Sequence, residues 1–367
     1  MIISANDFSS ADYAKVYGPC RFMFKDSFAT NFPASLATMS DSEMTFDNST
    51  YSAYAISFAS RATNATMRFV NGSSWMTSNS AREWIKTGPG NANCRIIMTP
   101  GTKSNSKTVI EGTNNVLAVT NCVLNTSVSV SGFGNLALLD NVDLEYTPDA
   151  GAGLSLGGTN SEIRLSGNLD GINIVRAWYG SGSKNARIEF SDNTVMTNHP
   201  SFMPYFQRAT DPVFWVGTNC DLSISAFLMN DYKKSGWAGM DSTNALIHIG
   251  CGSKVVNSNI NHPNAGGSFN GYKARVELDN GQYLYTGFKN ATVIYRGVTI
   301  EMKGDDAAFR AQGRGSDDVT PIRCGLDAGD RDQPTTLAYR PGPLAYHGVA
   351  PFWAKTLSSS YMTSNTV

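Results

Sequence analysis

A chain of 367 residues with a net charge of −1 and only 16 % charged residues carries no basic run of the kind that draws nucleic acid or an anionic membrane surface, and both are excluded as partners. Six scattered cysteines without a CxxC pair, and four histidines at no metal-ligand spacing, argue for buried thiols and against a metal centre or disulfide framework. No stretch approaches the ~20 apolar residues of a membrane span, and Met1 to Asp7 has neither the basic nor the apolar region of a signal peptide, so synthesis in a cytoplasm without secretion is expected.

Residues 1–44 mix Tyr13, Tyr17, Phe22, Met23 and Phe24 with Pro19 and Pro33. This composition reads as an ordered cap or docking segment. Coils are expected to begin near Met44-Thr45-Phe46 and to continue through Ala53 to Phe58 and Thr66 to Val70. Four later stretches then superpose around an asparagine: Val116 to Leu124 around Asn121, Leu136 to Leu144 around Asn141, Ile163 to Gly171 around Asn168, and Ile188 to Met196 around Asn193. In each, the residues five and three before the asparagine are apolar (Val116/Ala118, Leu136/Leu138, Ile163/Leu165, Ile188/Phe190), which predicts a short strand with that pair on the buried face. The alternation resumes afterwards with Cys122/Leu124, Val142/Leu144, Leu169 and Thr194/Met196. Each asparagine therefore marks a corner, where it tolerates left-handed backbone.

A third strand ending in glycine precedes each corner pair: Val109 to Gly112, Val128 to Gly132 and Leu154 to Gly157, with Val213 to Gly217, Ile247 to Gly250 and Leu284 to Gly287 read the same way farther on. The asparagines follow one another at intervals of 20, 27 and 25 residues, a period at which each repeat buries its apolar face only against its neighbours. Three strands per turn make an all-β parallel β-helix. At this point residues 45 to about 303 resemble the pectate-lyase-like superfamily of right-handed parallel β-helices, which includes phage tailspikes. The resemblance implies that Asn121, Asn141, Asn168 and Asn193 form that superfamily's stacked asparagine ladder. Farther on Phe227, Gly281 and Gly297 take the corner position, and glycine reaches the same backbone region without strain.

Two coils are enlarged, by Met196 to Asp211 and by Asn230 to Asp241. They offer Phe202, Tyr205, Phe206, Arg208, Tyr232 and Trp237, a set that suits a protein interface and also the stacking of sugar rings. A glycosidase would need two carboxylates facing the scissile bond. Asp143 and Asp170, each two residues after its corner asparagine, are the candidate pair, on consecutive coils about 4.8 Å apart. Aspartate beside asparagine is also ordinary turn chemistry. No residues call for a cofactor. From Asp305 onward proline and glycine accumulate around Leu337, Tyr339, Leu344, Tyr346, Phe352 and Trp353, as in an extended arm that packs on something.

The expected organisation is thus a terminal segment 1–44, a right-handed parallel β-helix 45–304, and a C-terminal arm 305–367, the two end segments serving for docking. The resemblance, the weakly charged surface and the aromatic ends together point to a non-enzymatic virion structural protein. A phage capsid decoration or tail appendage would fit, homo-oligomeric (a trimer for a spike) and in contact with other virion proteins. A tailspike-like polysaccharide depolymerase and an adhesin for bacterial surface glycan are the alternatives.

Overall fold

The computed structural model describes residues 2–4, 19–32, 36–53, 55–76, 84–124, 127–144, 153–169, 176–179, 182–197, 203–206 and 209–224, and beyond these Ser253 and the strands between 228 and 340. The chain forms an all-β parallel solenoid with no helix among the described residues. It divides into two compact units, Met1–Val175 and Arg176–Val367.

In the first unit each turn lays down one strand on each of three faces. The first face stacks Arg21–Lys25, Glu43–Asp47, Thr66–Val70, Arg95–Met98, Val116–Thr120, Leu136–Asp140 and Glu162–Ser166, every neighbour parallel. The second face runs from Phe28–Phe32 to Asp143–Leu144 and the third from Leu36–Thr38 to Gly153–Leu156. In the second unit the first face stacks Arg187–Phe190, Val213–Val216, Leu246–Ile249, Arg275–Leu278, Thr299–Lys303 and Thr336–Arg340. Regular stacking therefore reaches back to Arg21, inside the segment read as a cap. It also includes Ala308–Arg310, Ile322–Cys324 and Thr336–Arg340, inside the segment read as an arm. Three strands assigned from their terminal glycine belong elsewhere: Val213–Val216 and Leu246–Ile249 lie on the first face, and Tyr283–Thr286 lies in a separate sheet between Lys254–Asn257 and Ala308–Arg310.

The phase of two strands also differs from the sequence expectation. In Val116–Thr120 the buried residues are Leu117 and Val119, and in Leu136–Asp140 they are Ala137 and Leu139. Val116, Ala118, Leu136 and Leu138 point outward and are half-buried by the coils above and below. Ile163/Leu165 and Ile188/Phe190 face the core as expected.

Inside the first turns, like residues stack on like. Phe24, Phe46 and Phe69 lie nearly parallel with centroids 5.1 and 5.0 Å apart. Tyr51 stacks on Trp75 at 5.9 Å and meets Phe46 edge-on at 4.9 Å. Each ring that leaves water contributes roughly 1.5–3 kcal/mol, and later turns continue with Ile96/Met98, Leu117/Val119, Ala137/Leu139 and Ile163/Leu165.

The corners are columns of left-handed residues. Before the first face stand Asp41, Asn64, Asn93, Asn114, Gly134 and Asn160, with φ between 52° and 64°. The N–H of Asp41, Asn64, Asn93, Asn114 and Gly134 donates to the carbonyl of Thr63, Ala92, Thr113, Phe133 and Thr159 on the next coil. The following residue is small and buried in every case: Ser42, Ala65, Cys94, Asn115, Asn135, Ser161. After the first face the left-handed residues include Asp26, Asn48, Asn71, Asn121, Asn141 and Gly167. Between the third and first faces a glycine column, Gly112, Gly132 and Gly158, holds φ of 89°, 92° and 79°.

Two polar columns run through the core. Ser49 and Ser73 accept from the N–H of Ser27 and Ser49 at 3.1 Å and donate to Phe24 and Phe46 carbonyls. Asn115 and Asn135 form a two-rung amide ladder: Asn115 Oδ1 accepts from Cys94 N–H and Asn135 Oδ1 from Asn115 N–H, both at 2.7 Å. Their Nδ2 groups donate to Asn91 and Glu111 carbonyls, and to Gly112 and Ser131 carbonyls. The N–H groups of Ser27, Ser49, Cys94 and Asn115 at the turns are satisfied this way.

Candidate functional surface

Asn121, Asn141, Asn168 and Asn193, expected to stack as a ladder, all stand on the outside. Asn121, Asn141 and Asn193 are exposed at φ of 50°, 47° and 60°, and Asn141 Oδ1 accepts from Asn168 N–H at 2.8 Å. Asn168 itself stands one residue past the column, because Asp140 pairs with Ser166 and Gly167 takes the left-handed position. Interior amide stacking belongs instead to Asn115 and Asn135, which lie one residue after the other corner. Each stands just before its apolar strand, next to a turn residue (Asn114 or Gly134), where nothing in the local pattern sets it apart from ordinary turn chemistry.

Asp143 lies half-buried on the second face and pairs with Val123, which pairs with Lys103. Asp170 lies outside the described residues. Tyr205 and Phe206, assigned to a loop, sit on the strand Met203–Phe206, opposite Trp178 and Tyr179 on one side and Leu228 and Met229 on the other. Phe202, Arg208, Tyr232 and Trp237 lie outside the described residues, as do Phe227, Gly281 and Gly297. Among the described residues no three His, Cys, Asp or Glu side chains are grouped to hold a metal ion.

Burial pushes the thiols of Cys94, Cys122 and Cys220 up from their ordinary value, since a thiolate would lose its hydration there. The same cause raises the Tyr179 phenol well above its usual range. Tyr179 Oη donates to the Val213 carbonyl and accepts from Ile188 N–H, clamping two coils of the second unit. On the outer side of that unit Arg187 bridges Glu189 at 2.5 Å and lies 4.5 Å over the Trp215 ring. His248 and Glu277 follow Trp215 at the same register position.

Comparison of the chain with family models, curated proteins and solved structures finds no match.

The most distinctive surface is the outer side of the first face. Its first outward column reads Glu43, Thr66, Arg95, Val116, Leu136, Glu162, and its second Thr45, Arg68, Ile97, Ala118, Leu138, Arg164. Three successive coils thus present Ile97, Val116, Ala118, Leu136 and Leu138 as one apolar strip. Ion pairs bracket it: Arg68 with Glu43 at 3.1 Å, and Arg164 with Glu162 at 2.9 Å. One margin carries the exposed left-handed asparagines 93 and 114 together with Phe133, which is 50 % exposed. The other margin carries Thr99, Thr120, Asp140 and Ser166, with Ser166 Oγ donating to Asp140 at 2.7 Å. An apolar centre with a polar rim is the anatomy of a protein contact.

The strip also explains the misread phase. Parallel strands covered on both faces read as continuous apolar runs, so Val116-Leu117-Ala118-Val119 and Leu136-Ala137-Leu138-Leu139 carry no alternation from which to choose the inward set.

Proposed function

We propose that this chain is a non-enzymatic virion structural protein, a phage capsid decoration or tail appendage. In this role the stacked coils serve as a scaffold and one outer face of the first unit as a contact surface. The observation that carries the structural part is the strip of Ile97, Val116, Ala118, Leu136 and Leu138 on the outer side of a sheet whose inner side already packs the core. Two apolar faces on one set of strands fit a molecule that is sandwiched in an assembly. Placement on a virion rests on the resemblance of the repeat to tailspike-type β-helices and on the sparse charge.

Two measurements test it. Purified chain incubated with a panel of bacterial polysaccharides is expected to release no reducing ends. Released oligosaccharide would overturn the non-enzymatic reading. Mass spectrometry of particles purified from the source that encodes the chain is expected to find it in stoichiometric amount, and its absence from them would overturn the virion assignment.

A further inference from the structure

We infer that the apolar strip on the first face is covered by a second copy of this chain, its solenoid parallel to the first. The inference rests on the structural reading above and names the partner of that surface. Rotation about an axis that runs along the solenoid in front of the strip keeps every coil at its own level and reverses the order of the columns. The first outward column of one copy then faces the second outward column of the other. Level by level, Val116 meets Ala118, Leu136 meets Leu138, and the aliphatic stem of Arg95 covers Ile97 while its head stays in water. One level on, Glu162 meets Arg164, and the same pair recurs reciprocally across the axis.

The charges favour this arrangement over an antiparallel one centred on the level of Val116. A rotation axis along the strands would run the two solenoids in opposite directions and set Arg68 against Arg164, two levels either side of Val116. Like charges juxtaposed at an interface disfavour that pairing. In the parallel arrangement no like-charged pair occurs between the levels of Thr66 and Glu162. Self-complementarity of one patch about a rotation axis is what a closed homo-oligomer requires.

The test is the mass of the chain in solution, by light scattering, for wild type and two variants. Wild type is expected at twice the 39.5 kDa of one chain. Leu138→Arg, at an outward position, is expected to fall to the single-chain mass with an unchanged far-ultraviolet dichroism spectrum. Glu162→Arg, which needs no change in the apolar strip, is expected to dissociate as well, and the swap Glu162→Arg/Arg164→Glu to restore association. A single-chain mass for wild type at the highest concentration reached would overturn the inference while leaving contact with another virion protein in place. An oligomer whose mass neither variant changes would show that the copies meet elsewhere and would overturn it too. Failure of the structural reading shows separately, as sugar release.

Discussion

Gly132→Ala is expected to destabilise the solenoid by about 2–5 kcal/mol, the sum of a left-handed backbone penalty and overpacking. Gly132 holds φ of 92°, and a Cβ there would lie 2.3 Å from the Gly112 carbonyl oxygen and 2.9 Å from the Asn135 amide nitrogen. Both neighbours are fixed, the first as backbone and the second by the interior ladder, so neither can give way. Gly182 supplies the control: its φ is 81°, but nothing lies within 4 Å of the added methyl group. Gly182→Ala should show only the backbone penalty of about 1–2 kcal/mol. Urea midpoints of the two variants measure the difference. Equal midpoints would mean that the coils do not approach one another at the glycine column as closely as described.

Asn135→Leu is expected to cost about 2–6 kcal/mol, because two backbone groups lose their partner at about 1–3 kcal/mol each. These are Asn115 N–H and Ser131 C=O, whereas Gly112 C=O keeps the bond from Phe133 N–H. Asn141→Leu should cost much less, about 1–2 kcal/mol for left-handed leucine, since its side chain is exposed and accepts from an exposed N–H. Thermal or urea unfolding of the pair decides. A larger loss at Asn141 would reverse the assignment of the interior ladder and favour the asparagines singled out from sequence.

That contrast shows where sequence was informative and where it was not. The solenoid was legible from a strand-rich period, and the corners from asparagines at left-handed positions. Glycines at strand ends marked a place where backbone approaches backbone, although the third column residue is Gly158 and not its neighbour Gly157. Column membership was less legible, because coil lengths vary: Asn115 to Asn135 spans 20 residues, whereas Asp140 to Ser166 spans 26. A one-residue difference in a turn then slides Asn168 out of line. A usable signal was present before the first face, where Thr63-Asn64, Thr113-Asn114, Thr159-Asn160 and Thr210-Asp211 each precede a small buried residue. Thr218-Asn219 has the same form at another corner, which blunts it. The contact strip left no mark in sequence except a doubled apolar run, and such a run fits either phase. The aromatic residues proposed for binding fared differently: Tyr205 and Phe206 lie on a strand because a third face must be filled on every turn.

Leu138 faces outward on a surface open to a partner, while Leu139 faces the core. Lysine substituted at each position in turn, with folding followed by dichroism and thermal unfolding, tests this most directly. Leu138→Lys is expected to leave a folded chain with native dichroism, and Leu139→Lys to unfold it or cost several kcal/mol by burying an unpaired ammonium. The reverse order of damage would place the strip inside and remove the contact surface on which the proposed function depends.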